Sequence, residues 1–200
     1  MIALTISLVL SLILAAPTVN AQSRVGALKM QGTVEDGAVI DPAKGFAYFG
    51  VSGSPYMIAK INLSTFTFVG TLLLYQGEIV LNNAVIDIDR GFAYFTTYPT
   101  QASPAKIIKI DLSTFTRAGT LTLDRSDGSI SSAVIDASEG YAYFGTFTTP
   151  GRVVKVRLSD FRRAGVLTLN RGEDILISGV IDAAKGFAYF GGGASQGMVV

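Results

Sequence analysis

The sequence lacks three residue types on which many active sites depend: its 200 residues include no cysteine, no histidine and no tryptophan. Without cysteine there can be no disulfide, thiolate zinc site or thiol nucleophile. Without histidine there can be no Ser-His-Asp triad and no histidine-ligated zinc. Charged residues are also scarce, at 16%, and a formal net charge of +1 argues against a nucleic-acid partner, since such proteins carry a basic excess. The side-chain groups that remain for catalysis are carboxylates, lysine, arginine, tyrosine and hydroxyl groups.

The N-terminus has the pattern of a secretory signal peptide. Residues 2–16 form an apolar run of about 15 residues, which suits a signal peptide and is short for a membrane span. Small residues at Val19 and Ala21 occupy the positions that signal peptidase recognises. We therefore expect a signal peptide over 1–21 and no membrane span after its cleavage. The alternative is an uncleaved anchor, because no lysine or arginine precedes the apolar run.

The rest of the sequence repeats one unit. A block of the form Ala-Val-Ile-Asp ends in aspartates that are 46, 49 and 46 residues apart, at Asp41, Asp87, Asp136 and Asp182. Each is followed by a glycine and an aromatic run, as in Gly91–Phe95. A lysine-containing segment, a turn of the Leu-Ser-Thr-Phe type and a closing block such as Gly119–Leu123 complete the unit. Each complete unit therefore predicts four short strands, a to d, joined by tight turns.

Four strands in a repeat of this length predict an all-β fold, a β-propeller made of four-stranded antiparallel blades. The b strand, as in Phe46–Phe49, is apolar on both faces, so a neighbouring blade must cover each of them. We place the blades at about 37–74, 83–124 and 132–170, with a truncated one at 178–200.

The blade number leads to an expectation about the whole chain. Propellers close with at least about 4 blades and more often six to eight, so we expect an incomplete arc of about three and a half blades from a longer protein. Residues 24–30 align with the d block of blade two and are expected to form a ring-closing strand. The mature part, 22–200, would then be a partial propeller.

The same succession of motifs resembles a known repeat family. A turn of the Asp-Pro-x-x-Gly type at Asp41–Gly45, an aromatic strand, and a strand ending in Asp-Leu-Ser-Thr-Phe at Asp111–Phe115 are similar to YVTN-type propeller repeats. These are relatives of the NHL and WD40-like blades, and the resemblance covers about residues 24–200. The resemblance implies a β-propeller fold. Blades of this kind serve as surface-layer modules, as binding scaffolds and occasionally as enzymes.

Residues that recur in every unit are expected to be structural. The four repeated aspartates are predicted to cap the a–b turns rather than to hold a metal or to act as acids and bases. Lys60, Lys109 and Lys155 recur on strand c, where we expect them to be solvated. The sequence indicates no catalytic residue, no metal ligand and no cofactor.

The units differ in their b–c and d–a loops, which lie at the same end of a four-stranded meander. Variable loops on a repeated frame are where a scaffold builds a binding site. Polar and aromatic side chains of these loops are the candidate binding residues: Tyr56, Tyr75, Glu78, Tyr98, Gln101, Asp127, Phe147, Glu173 and Asp174.

Two functions fit this pattern. The first is a secreted or cell-surface scaffold that binds a protein or a glycan through the b–c/d–a loop face without catalysis. The alternative is the N-terminal part of a propeller enzyme of the lyase, lactonase or quinoprotein dehydrogenase type, whose catalytic residues would lie in further blades.

The leader gives a first testable prediction. Because Ala21 follows a short apolar run and a small residue at position 19, cleavage should occur after it. N-terminal sequencing of the exported protein should therefore begin at Gln22. A mature protein that retains residues 1–20 would instead identify a membrane anchor.

Overall fold

A computed structural model of the chain describes residues 26–193 and 196–200, without the side chains of Val80 and Leu81. The signal peptide predicted over 1–21 lies outside the described residues. The described part is all-β, as predicted: it forms fifteen strands and one 3₁₀ turn at Arg125–Asp127.

The strands form four antiparallel sheets, which we call blades 1 to 4 in chain order. Blade 1 consists of β1 (Thr33–Asp41), β2 (Phe46–Ser52), β3 (Met57–Asn62) and β4 (Thr67–Leu73). Blade 2 consists of β5 (Ile79–Asp87), β6 (Phe92–Tyr98), β7 (Lys106–Asp111) and β8 (Thr116–Thr122). Blade 3 consists of β9 (Ile130–Asp136), β10 (Tyr141–Thr146), β11 (Arg152–Arg157) and β12 (Arg162–Thr168). Blade 4 has three strands, β13 (Leu176–Asp182), β14 (Phe187–Gly192) and β15 (Met198–Val199).

The first strand of each blade lies innermost. Strand β1 packs against β5, β5 against β9, and β9 against β13, so the four a strands face a shared concavity. In each blade the strands are hydrogen-bonded in sequence order, as predicted for a meander. The inner strands begin at residues 33, 79, 130 and 176, ahead of the repeated Ala-Val-Ile-Asp block, because they extend into segments that the units do not share.

Residues 26–30, part of the predicted ring-closing strand, lie outside regular secondary structure. They are nevertheless placed beside blade 1. A Cβ atom on Gly26 would lie 3.1 Å from the Phe66 ring, much as one on Gly119 of β8 would lie 3.2 Å from the Phe161 ring. The segment therefore meets blade 1 as the d strand of blade 2 meets blade 3. Its pairing with further strands stays a prediction.

The repeated aspartates cap the a–b turns, as predicted. Asp41 Oδ1 accepts the Lys44 N–H at 3.0 Å, and Asp87 Oδ1 accepts the Arg90 N–H at 3.1 Å. Both carboxylates are fully buried, so these hydrogen bonds replace part of the hydration lost on folding, although Asp41 Oδ2 has no hydrogen-bond partner among the described residues. A glycine with positive φ closes each turn, as Gly91 does at 73°.

The b strands are buried on both faces where a blade has two neighbours. Tyr94 and Phe95 of β6 point to opposite faces, and their exposed fractions are 1% and 0%. In blade 4, the last of the chain, Tyr189 of β14 is 42% exposed while Phe190 is 4% exposed. Burial of the aromatic strand thus depends on the adjacent blade, as expected for repeat units.

The repeated lysines lie over aromatic rings and are partly buried, so the prediction that they are solvated holds only in part. Lys109 Nζ lies 3.9 Å from the centroid of the Phe92 ring and 5.8 Å from that of Phe161, which belongs to the next blade. Lys60 makes both kinds of contact in blade 1, with Phe46 and with Phe115 of the next blade, whereas Lys155 lies over two rings of its own blade, Tyr141 and Tyr143. Burial lowers the pKa of Lys60 and of Lys109. A cation over a ring face recovers part of the lost hydration, which strand periodicity alone could not indicate.

Around Lys60 and Lys109 the aromatic rings form a cage, and the phenylalanine that completes it comes from the c–d turn of the following blade. Phe115 and Phe161 have φ values of 52° and 53°, in the left-handed region that non-glycine residues seldom adopt. Their rings lie 5.7 Å from Tyr48 and 5.6 Å from Tyr94 of the preceding blade. The strained turn is therefore offset by a contact between blades.

This arrangement predicts an unusual order of stabilities at position 161. Phe161→Ala should lower the free energy of unfolding by about 3 kcal/mol, because it removes a ring packed between blades. Phe161→Gly removes the same ring but relieves the left-handed strain, so it should be less damaging by about 1 kcal/mol. Urea denaturation measures both.

The control is Phe147→Ala, since that ring lies in a loop of the same blade and is 54% exposed. It should change stability little. Equal losses at positions 161 and 147, or a glycine variant less stable than the alanine variant, would contradict the proposed role of this turn.

Candidate functional site

The b–c and d–a loops lie together at one end of the blades. The Phe147 N–H of a b–c loop donates to the Ser129 carbonyl of a d–a segment at 2.8 Å. In the neighbouring pair, Arg125 Nη2 donates to the Gln101 carbonyl at 3.0 Å. These hydrogen bonds join the two kinds of variable loop into one surface, which we call the loop face.

A pocket of about 480 Å³ opens on this face, where the inner strands of all four blades end. Its lining consists of Asp36, Asn82, Asn83, Tyr98, Ser129, Ser131, Phe147 and Ile177. Asp36 lies on β1, the two asparagines on β5, Ser131 on β9 and Ile177 on β13. We call it the inner pocket.

Two of the lining side chains join inner strands of different sheets. Asn83 Nδ2 donates to the Ile130 carbonyl at 3.5 Å, from blade 2 to blade 3. Ser131 Oγ donates to the Leu176 carbonyl at 2.9 Å, from blade 3 to blade 4. Because neighbouring sheets share no ladder, such hydrogen bonds help to fix the spacing of the pocket walls.

Other polar side chains of the pocket make no hydrogen bond to the described residues around them. Among the described residues, the side chains of Asp36, Asn82 and Ser129 have no hydrogen-bond partner. An amide, a hydroxyl and a carboxylate can together accept and donate hydrogen bonds in several directions. The pocket wall can therefore bind a polar molecule.

Tyr98 and Phe147 are the two predicted binding residues that the structure brings into this pocket. They come from the b–c loops of blades 2 and 3, and their exposed fractions are 45% and 54%. The polar residues beside them were missed, because they precede the repeated block. A signal was present in the sequence: the two residues ahead of the second and third blocks are polar and differ between these units, as Asn82-Asn83 and Ser131-Ser132.

Glu78 and Asp127, also predicted as binding residues, are buried in ion pairs instead. Glu78 accepts two hydrogen bonds from Arg117, at 2.9 and 2.6 Å, and lies 3.7 Å from Lys106 Nζ. Asp127 lies 3.0 Å from Arg163 and 3.1 Å from Arg152. Each carboxylate also accepts a backbone N–H of its own loop. These acids hold the d–a loops against the outer strands of the next blade.

The acidic position of the d–a loop and its two cationic partners on strands c and d vary together between blades. Glu78 and Asp127 lie six residues before the repeated block, and the corresponding residue in blade 1 is Gly32. The cation that begins β7 and β11 is replaced by Met57 at the start of β3, and the arginine of β8 and β12 by Phe68 in β4. A blade without the acid therefore also lacks both cations, as expected when an unpaired buried charge is costly.

The remaining predicted residues lie on the loop face but outside the inner pocket. Tyr56 and Tyr75 border a second depression, where the Tyr75 ring lies 4.0 Å from the Arg117 guanidinium. Gln101 is exposed. The Glu173 side chain accepts the Asn170 N–H at 2.8 Å, while Asp174 Oδ1 is buried with no partner among the described residues. They form no common cluster with Tyr98 and Phe147.

Two structural features are absent from residues 26–193 and 196–200. No three His, Cys, Asp or Glu side chains come together there as a metal site. No helix in the same ranges is long and apolar enough to cross a membrane.

No protein-family model matches the sequence, and no curated protein is detectably similar to it. Solved structures are similar in fold. U3-55K superposes with a TM-score of 0.64 at 10% identity, over 86% of this chain and 53% of its own. Kuenenia stuttgartiensis hydrazine synthase gives 0.63 at 8% identity, over 86% and 45%. The RRP9 WD40 repeats give 0.59 at 11%, over 76% and 43%.

These similarities confirm the propeller-like fold. The chain spans about half the length of the structures it matches. At such low identity the likeness concerns architecture alone.

The buried Glu78 gives a prediction about pH. Burial would raise its pKa, but the hydrogen bonds from Arg117 and Tyr75 and the charges of Arg117 and Lys106 outweigh burial and lower the pKa below its ordinary value of 4.5. A carboxylate with a depressed pKa in the folded state adds stability above its unfolded-state pKa, and that stability is lost as the pH falls through the folded-state pKa. The free energy of unfolding of the wild type should therefore exceed that of Glu78→Gln by about 2 kcal/mol near neutral pH. The difference should shrink below about pH 4.5.

The matched control is Glu139→Gln, which removes an exposed carboxylate. Chemical denaturation at a series of pH values should give a difference from wild type that stays near zero. A Glu78→Gln difference that does not change between neutral and acidic pH would show that the ion pair contributes nothing.

Proposed function

We propose that this protein is a non-catalytic binding scaffold whose ligand occupies the inner pocket on the loop face. The observation that carries the proposal is the meeting of exposed aromatic rings, Tyr98 and Phe147, with unpaired polar groups at the ends of the inner strands. A concave site with apolar walls and a few convergent polar groups is typical of ligand binding.

The lining favours binding over catalysis. Its polar groups are amides and hydroxyls together with the single carboxylate of Asp36 and the phenol of Tyr98. The acids best shielded from water on this face, Glu78 and Asp127, are engaged by arginine. They hold the loops in place, which lowers the entropy lost when a ligand binds.

The proposed setting is the cell surface or the extracellular space. The leader over 1–21 supports export. We also propose that the blades belong with YVTN-type repeats, on the motifs at Asp41–Gly45 and Asp111–Phe115. Surface modules built from such repeats commonly act by binding.

Site-specific photocrosslinking tests the proposal whatever the ligand class. A benzophenone amino acid at position 147 lies on the pocket rim, whereas one at position 114 lies in an exposed c–d turn at the opposite end of the blades. Since benzophenone inserts into C–H bonds of both sugars and peptides, irradiation of producing cells should yield an adduct of defined mass at 147. Adducts from position 114 alone would place the interaction on the other face and refute the proposal.

A further inference from the structure

We infer that the inner pocket binds a neutral carbohydrate, with sugar rings placed against Tyr98 and Phe147. This inference rests on the proposed function and specifies its ligand. The pocket volume of about 480 Å³ falls within the range of small-molecule sites, about 300–1,000 Å³. Its open mouth on the loop face leaves room for a chain of sugars to extend outward.

The hydrogen-bonding groups match a polyhydroxylated ligand. Each sugar hydroxyl donates one hydrogen bond and accepts others, and an amide such as that of Asn82 offers both an acceptor oxygen and a donor nitrogen. Ser129 adds a hydroxyl, and Asp36 adds a strong acceptor. These groups come from three different blades, so they converge on a ligand from several sides.

The aromatic side chains match the apolar faces of sugar rings. An aromatic face carries partial negative charge, so it attracts the weakly positive C–H groups on one side of a pyranose ring. Tyr98 and Phe147 lie on b–c loops of adjacent blades and stay about half exposed in the folded chain. A sugar would cover this apolar area while its hydroxyls reach the asparagine and serine groups.

Charge and polarity disfavour other ligand classes. Of the lining residues, Asp36 alone is charged, and it is negative. Phosphate or sulfate groups would need arginine or lysine in the pocket. The nearby arginines, Arg117 and Arg163, are already paired with Glu78 and Asp127. An apolar peptide segment would cover Asn82 and Ser129 and leave them without partners, which is costly.

Isothermal titration of the whole exported protein with defined oligosaccharides tests the inference. The probes are cellohexaose, chitohexaose and maltohexaose as neutral ligands, with a heparin-derived hexasaccharide as the anionic one. At least one neutral probe should bind, and the anionic probe should not. Tyr98→Ala and Asn82→Leu should each weaken that binding about tenfold, by removing a stacking face or an amide. Tyr98→Phe keeps the stacking face and should lose less affinity than Tyr98→Ala.

The matched control is Tyr75→Ala, because Tyr75 is also an exposed tyrosine of the loop face, at 66% against 45% for Tyr98, but borders the second depression outside the inner pocket. It should bind the probe as wild type does. Thermal unfolding of each variant verifies that the fold is intact.

The outcomes separate this inference from the proposed function. Preference for the anionic probe, or neutral binding that Tyr98→Ala leaves unchanged, would overturn the carbohydrate inference. If no sugar binds while the benzophenone at position 147 still gives a protein adduct, the ligand class is wrong and the scaffold function stands. If position 147 gives no adduct either, both fail.

Discussion

The structure depends on one contact between successive blades, the insertion of a phenylalanine from a c–d turn into the aromatic and lysine cage of the blade before it. Phe161 lies against Tyr94 and close to Lys109, and Phe115 lies against Tyr48 and close to Lys60. Among the described strands, no ladder hydrogen bonds join one blade to the next, so side-chain packing of this kind has to set their spacing. The repeated turn and the repeated lysine thus form two sides of one interface at the junctions of blades 1 and 2 and of blades 2 and 3.

A second link acts at the other end of the blades, where the loop face lies. Glu78 and Asp127 bind cations on the outer strands of the following blade, and the acid and its cations are absent together from blade 1. Removing one member of a buried pair leaves a charge without a partner, so a repeat that loses one member is expected to lose the others. The frame is therefore fixed at both ends, by rings at one and by ion pairs at the other, and the loops at the ion-paired end are held in place for binding.

The sequence was sufficient for the architecture because the repeat shows the strand order, the turns and the two-sided burial of strand b directly. It was less informative about side chains. Lysine on strand c suggests a solvated residue, and only the position of Phe161 from another blade reveals that Lys109 is covered. Tyr98 and Phe147 could be chosen as variable aromatic residues of loops, but Glu78 and Asp127 have the same loop pattern, and their burial depends on arginines 36 to 39 residues away in the chain.

The place of the inner pocket follows from the same division between repeated and variable parts. Along the inner strands the Ala-Val-Ile-Asp blocks pair regularly with the aromatic strands, and the register shifts occur beyond them, toward the loop face. In blade 2 the shifts fall between Ile79 and Leu81 and between Leu81 and Asn83. Bulges of this kind release residues from the strict alternation of a strand and re-aim their side chains. Asn82 and Asn83 lie at such shifts. The fold does not dictate the residue type there, so these positions are available for binding a ligand.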